Sequence, residues 1–342
     1  MNRITISLGL NSRELLLNAS VLLCVAIALP LQSTAVEKST VEKVDKNDKA
    51  DKLPMEPLDG PPFVTAKSWA IIDGDSGDFL AGSNEDEKRD PASTTKIMTA
   101  YLVTSLAEKD PSVLDEIVKF TERADKTTGS TSDLKAGEKI SVGELLYGLL
   151  LPSGNDASVA IAEHFGKRVS PEKAAQDPTA TSYDCFVDAM NRKATELGMT
   201  NTHFINTHGL TTEGHQLTAR DLAHLAYLAF KQPEFRKRVG AAQHAAVVDS
   251  ENGQHRKALW KNTNQLLKTQ GYDGIKTGTT GAAGACLVST AQREGRRLIV
   301  VVLGSTSDES RYVDARNLYR WAWKELLKLQ EHDSDNKQKA SR

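Results

Sequence analysis

The sequence predicts a mixed α/β fold of the α+β kind, an antiparallel sheet assembled from both ends of the folded region with a helical subdomain inserted between them. Three observations predict it. Short apolar runs bounded by turn residues lie at 68–81 and return at 274–303. The stretch between them, to about Phe235, is dominated by segments of helical period. The late runs are joined by short turns such as Arg293-Glu294-Gly295-Arg296, which suit antiparallel neighbours.

The chain has 342 residues, and its ends do not carry the pattern of the middle. Residues 1–35 read as a secretory signal. Arg3 and Arg13 supply the positive start, 15–31 is apolar, and Ser33 and Ala35 offer small residues for cleavage after Ala35. Cleavage is the expectation. The alternative is an uncleaved anchor, and membrane association follows only if the segment is retained. Leu23 stands before Cys24 where a lipoprotein would want a small residue, so that reading is set aside. Residues 36–62 are rich in Lys, Asp, Glu and Val, lack an apolar period and end in Gly60-Pro61-Pro62, as a solvated linker does. The folded domain is expected over 63–330, with 331–342 a polar tail.

Within the domain, 68–73 reads as a strand, 74–77 as a turn and 78–81 as the return strand. Asp90 is expected to cap a helix with Pro91 in its first position, running to about Ala107. Further helices are expected at 142–150, 155–165, 185–197 and 219–231, strands at 274–279, 285–291 and 297–303, and a closing amphipathic helix at 311–329. The formal net charge of −2 with 26% charged residues leaves no basic footprint, so nucleic acid is not expected as a partner. Beyond the signal, Cys185 and Cys286 are expected as free thiols, because Cys286 sits in an apolar strand and cysteine commonly serves as a small core hydrophobe.

Three short motifs carry chemistry. Ser93-Thr94-Thr95-Lys96 places a hydroxyl and an amine one helical turn apart on one face. A serine hydroxyl becomes a nucleophile when a base removes its proton, and a lysine serves once burial or a like charge, such as Lys276, makes it partly neutral. The Ser93 amide lies in the first turn, where it can help hold an oxyanion. Ser153-Gly154-Asn155 joins two helices. Ser153 can relay a proton and Asn155 can bond Lys96 and a substrate amide, or either can simply cap a helix. Lys276-Thr277-Gly278 lies in a strand followed by small residues. Lys276 and Thr277 can bind a carboxylate, Gly278 lets a substrate backbone approach, and the Thr279 amide can complete the oxyanion hole. No cofactor or metal is expected: His203 and His208 miss the helical spacing of a zinc pair, and no phosphate-binding glycine loop is present.

Four ordered segments carry a family resemblance: 90–96, 153–157, Asn201-Thr202-His203-Phe204 with His208-Gly209-Leu210, and 273–278. They resemble the D-alanyl-D-alanine carboxypeptidases, low-molecular-mass penicillin-binding proteins of the serine peptidase class, over about residues 67–329. The resemblance implies a serine β-lactamase-like transpeptidase fold and removal of the terminal D-Ala from peptidoglycan stem peptides through an acyl-Ser93 intermediate. It also implies β-lactams as covalent inhibitors and export to the periplasm or cell envelope. By the family pattern Lys96 is the base, Ser153 and Asn155 the relay, and Lys276, Thr277 and an arginine bind the terminal carboxylate. Arg311 stands at a suitable distance after Lys276 to be that arginine, with Arg256 the weaker candidate. Many members carry a β-rich second domain and a C-terminal amphipathic membrane helix. This sequence ends soon after its closing helix, which brings the D,D-endopeptidases, cutting cross-links with the same site, into consideration. A β-lactamase is a further alternative, with Glu196 the glutamate nearest a suitable place.

Overall fold

The computed structural model describes residues 60–250 and 252–340, with side chains to residue 325. The expected signal at 1–35 and nearly all of the linker at 36–62 lie outside the described residues. The first elements are β1 (Ser68–Asp73) and β2 (Phe79–Ser83), followed by a 3₁₀ turn over Ala92–Thr95 that runs into α1 (Lys96–Lys109). Next come β3 (Ile117–Lys119), α2 (Glu122–Asp125), β4 (Lys139–Ser141), α3 (Val142–Leu150), α4 (Asn155–Val169), α5 (Pro171–Gln176) and α6 (Ser182–Glu196). The middle closes with α7 (Ala219–Lys231), α8 (Pro233–Val239), β5 (Gln243–Asp249) and β6 (His255–Lys261). The last elements are β7 (Tyr272–Thr280), β8 (Gly284–Arg293), β9 (Arg296–Ser305) and α9 (Ser310–Ala340).

The main sheet has the order β2-β1-β9-β8-β7, all neighbours antiparallel, so the two ends of the domain do pair. It is buried on both faces because its strands alternate between two cores. Ala70, Ile72, Ile299, Val301 and Leu303 face the helical layer. Trp69, Ile71, Val300 and Val302 face α9 through Tyr312, Ala315, Leu318 and Tyr319. Helix α1 is the hub of the helical layer and packs against α3, α4, α6, α7 and α8. It therefore buries residues most of the way round, Ile97, Met98, Ala100, Leu102 and Val103 among them.

Three expectations need correction. The helix does not start at Asp90. Pro91 is the cap of the 3₁₀ turn with no side-chain capping bond, Ala92 takes φ 48°, and regular helix begins at Lys96. A close contact accounts for the twist: a Cβ on Gly209 would lie 1.8 Å from the Ala92 carbonyl oxygen, so the chain is bent around its neighbours there. A second, four-stranded sheet of order β3-β4-β5-β6 was not expected. Its strands leave a weak periodic signal, since β3 and β4 have three residues each, and β5 and β6 each bury only two apolar side chains, Ala246 with Val248 and Ala258 with Trp260. The closing helix extends beyond residue 329 to Ala340, which takes in most of the segment expected as a polar tail. Once a helix is nucleated, each added residue gains a hydrogen bond at low cost, even where no apolar face demands it.

Candidate active site

Ser93 lies half-buried in the 3₁₀ turn, and Lys96 opens α1 with no exposed surface. The Lys96 Nζ is 2.9 Å from Ser93 Oγ, 2.7 Å from Asn155 Oδ1 and 2.8 Å from the His208 carbonyl oxygen. Burial first, and then the nearby Lys276 charge, hold the Lys96 ammonium well below its ordinary pKa, against a smaller upward pull from Asp156. A neutral amine has two N–H groups and one lone pair. In the structure Nζ donates to all three, the Asn155 and His208 oxygens and Ser93 Oγ; once the amine is deprotonated, its lone pair faces Ser93 Oγ in place of the third N–H.

Asn155 is the first residue of α4, and its amide is oriented from behind. Its Nδ2 donates to the Thr128 carbonyl at 2.7 Å, which leaves Oδ1 facing Lys96. The adjacent Asp156 carboxylate accepts from Thr131 Oγ1 and from both the amide and hydroxyl of Ser132, pinning the loop that passes over the site. Gly129 in that loop has φ 93°, and a Cβ there would meet Asn155 Nδ2 at 2.5 Å. The capping role considered for Ser153 and Asn155 is not what the structure shows. Gly154 occupies the cap position without a side-chain bond. Ser153 instead sits in the left-handed region at φ 68°, and its buried hydroxyl has no hydrogen-bond partner among the described residues. Strain of this kind and an unpaired buried donor are both costly, and they concentrate where chemistry is done.

Strand β7 forms the facing wall. Lys276 is 1% exposed and donates to the Thr277 carbonyl. Burial, and then the Arg311 guanidinium, push its pKa down to about 7. Thr277 Oγ1 is 2.6 Å from Thr263 Oγ1. A Cβ on Gly278 would lie 2.7 Å from the Ser93 amide nitrogen and 3.1 Å from that of Thr94. The glycine is therefore required first by the protein's own backbone, where the sequence suggested approach of a substrate. Arg311 in the first turn of α9 reaches Gly278 O at 3.3 Å and Thr279 Oγ1 at 2.9 Å. So Ser93, Lys96, Asn155, Lys276, Gly278, Thr279 and Arg311 come together around the Ser93 turn and β7. Arg256 does not join them: it lies in the second sheet and pairs with Glu138. Glu196 ends α6 at the surface and pairs with Lys193.

Comparison with known proteins bears on this geometry. Residues 56–307 match the family model described as D-alanyl-D-alanine carboxypeptidase. The chain belongs to that family. Among relatives, it is 36% identical over 260 residues to the D-alanyl-D-alanine carboxypeptidase DacF of Bacillus subtilis, a match covering 75% of this chain and 62% of the relative. It is also 36% identical over 272 residues to DacC of Escherichia coli, covering 77% and 62%. The chain thus spans a little under two thirds of the length of these relatives. The crystal structure of the Streptomyces K15 DD-transpeptidase superposes with a TM-score of 0.70 at 34% identity, over 77% of this chain and 99% of that one. The fold is accordingly that of the serine β-lactamase-like transpeptidases.

Several residues of this carboxypeptidase-family site left no clear trace in the sequence. The His208 carbonyl on Lys96 is a backbone group and carries no side-chain signal. Thr263 reaches Thr277 from a loop 14 residues earlier, and Asp308, three residues before Arg311, touches both Arg311 and Thr279. His215 is fully buried behind the nucleophile. Its Nδ1 accepts from the Ile205 amide, so its Nε2–H donates to Thr95 Oγ1, which in turn donates to the Ala92 carbonyl. The electrostatics also amend one expectation. Burial brings Lys276 down to about 7, so its charge is not fixed near neutral pH.

Proposed function

We propose that the protein is a serine D,D-carboxypeptidase that removes the terminal D-Ala from peptidoglycan stem pentapeptides. The observation that carries this reading is the buried Lys96 amine, depressed in pKa and 2.9 Å from Ser93 Oγ. Neutral Lys96 takes the Ser93 proton while Asn155 and the His208 carbonyl hold its two N–H groups. Ser93 Oγ then attacks the carbonyl of the penultimate D-Ala. The amides of Ser93 and Thr279 stabilise the oxyanion. The C–N bond breaks as the leaving amine takes a proton relayed from Lys96 through the unpartnered Ser153 hydroxyl. Water hydrolyses the acyl-Ser93 ester by the same route in reverse. Thr277 and Arg311, with Lys276 when protonated, bind the carboxylate of the leaving D-Ala. In this reading residues 63–330 are the peptidase domain, 36–62 a linker and 1–35 an export signal that brings the enzyme to the cell wall. Among the described residues no helix is long and apolar enough to cross a membrane.

A penicillin attacks the same nucleophile, so mass spectrometry after labelling should place the adduct on the Ser93 peptide. Ser93→Ala should lose both the adduct and D-Ala release. Lys96→Arg keeps the charge but does not deprotonate in the working range, and should slow acylation by about a hundredfold to ten-thousandfold with an unchanged melt. An adduct on another residue, or near-normal acylation by Lys96→Arg, would overturn the assignment. Release of D-Ala from a pentapeptide measured beside cleavage of a cross-linked dimer separates carboxypeptidase from endopeptidase. Turnover of the bound penicillin measures any β-lactamase activity.

A further inference from the structure

The carboxylate-binding corner contains an acid of its own. Asp308 lies just before α9, and its Oδ1 is 3.1 Å from Arg311 Nη1 and accepts the Thr279 hydroxyl proton at 2.7 Å. The two partners differ in exposure: the Arg311 side chain is 8% exposed and that of Asp308 55%. The cation is thus set into the wall and the acid stands at the solvent side of it. A hydroxyl has one proton, so while Thr279 donates to Asp308 it has none for a substrate. An anion approaching this corner meets a guanidinium whose Nη1 already faces the Asp308 carboxylate and a hydroxyl already committed to it. Arg311 does not depend on Asp308 for its place, since it is also held at Gly278 O and Thr279 Oγ1.

We propose that Asp308 is a built-in counter-ion that weakens capture of a free terminal carboxylate relative to a neutral, amidated terminus, and so sets how far the enzyme distinguishes the two. The inference rests on the reading of Arg311 as the carboxylate anchor. Specificity is a difference between two affinities, and an unfavourable charge toward one ligand changes it as effectively as a favourable one toward the other. Asp308 is the unfavourable charge. Removing its charge leaves Arg311 held at Gly278 O and Thr279 Oγ1 and takes away the competing anion.

The test is a comparison of an N-acylated L-Lys-D-Ala-D-Ala tripeptide with its C-terminal amide. Asp308→Asn should lower KM for the free acid about threefold to tenfold at low ionic strength, with kcat within about twofold. KM for the amide should change no more than about twofold. The gain should shrink in high salt, because the contact is half-exposed and screened. Asp308→Glu, which keeps the charge, should retain the parental ratio. An unchanged acid-to-amide ratio in Asp308→Asn would overturn the inference, and so would an equal loss on both substrates, which would make Asp308 merely a support for Arg311. Arg311→Ala is the separate arm. A loss confined to the acid upholds the carboxylate anchor whatever Asp308 does. An equal loss on acid and amide removes the anchor itself and, with it, the carboxylate part of the functional reading.

Discussion

Lys276 illustrates how much a single residue at this site costs the fold. Its side chain is buried and its amine donates to the carbonyl of its neighbour Thr277. In the unfolded chain its amine titrates near 10.5, and in the folded protein near 7. Between those values the unfolded state binds more protons, so stability rises with pH through that window, and at pH 7 most of the penalty is still present. A methionine of similar length has no charge to desolvate. Lys276→Met should therefore raise the thermal midpoint by a few degrees at pH 7, with each kcal/mol worth about 2–4 °C in a chain of this size. Thermal scans at pH 7 and pH 10 would check it, because the advantage should fade at the higher pH while penicillin acylation is impaired at both. A lower midpoint at pH 7 would mean that the Lys276 charge is compensated within the fold. Ser153, with its positive φ and unpaired hydroxyl, belongs to the same class of locally unfavourable groups retained at a site.

At the scale of elements, the geometry of the site depends on where α4 and β7 are held. Helix α4 carries Asn155 and crosses α6 at Gly166, where a Cβ would fall 1.6 Å from the Ser182 carbonyl oxygen. Alanine is the better helix former by up to about 1 kcal/mol, but here it must push two helices apart. Overpacking of this kind costs typically about 1–3 kcal/mol, so the clash wins. Gly166→Ala should lower the stability measured by urea unfolding by that order, and should slow acylation because Asn155 moves with the helix. Unchanged stability would show that α6 can yield. The sequence predicts α3 and α7 with the bounds observed and the late strands to within a few residues. These segments are long or uniformly apolar and have one environment each. It missed β3 to β6, where two buried residues per strand or fewer do not separate a strand from a loop, and pairing alone makes the sheet. It also set the start of the first helix too early, because only Gly209 and Gly278 pressing on the 3₁₀ turn divert the chain there.

For the molecule as a whole, acid is the revealing variable. His215 and His208 are pushed down to about 4 and about 3, in both cases chiefly by burial. Each takes up its proton in the unfolded chain near 6.5 but not in the folded one. Stability is thus intact above pH 6.5 and falls as the pH drops through the window toward 4 and 3. Depressed carboxylates such as Glu138 and Glu234, paired with Arg256 and Arg238, extend the loss to lower pH. Urea midpoints at pH 7.5, 6 and 4.5 should decline in that order. In His215→Gln the slope between pH 6 and 4.5 should be shallower by up to about 1.4 kcal/mol per pH unit, one proton's worth. An unchanged slope would mean that His215 is not the proton acceptor. Because His215 holds Thr95 and, through it, the Ala92 carbonyl beside Ser93, activity should fail before the fold does.

The sequence by itself determined the identity of the reactive groups and the order in which they are met. Ser93 and Lys96 are one turn apart on any helix-like segment, and Lys276-Thr277-Gly278 stands in a strand followed by small residues. It also determined that strands from the two ends would meet, since neither end can bury its apolar runs alone. Tertiary structure alone decided which distant groups complete the site. The His208 carbonyl on Lys96, the Thr128 carbonyl that turns Asn155 and the Thr263 hydroxyl on Thr277 are contacts between separate segments, which no local pattern encodes. It decided the charge states too. A lysine pKa depends on how much water and which charges surround the amine, and those are properties of the packed molecule and not of the local sequence.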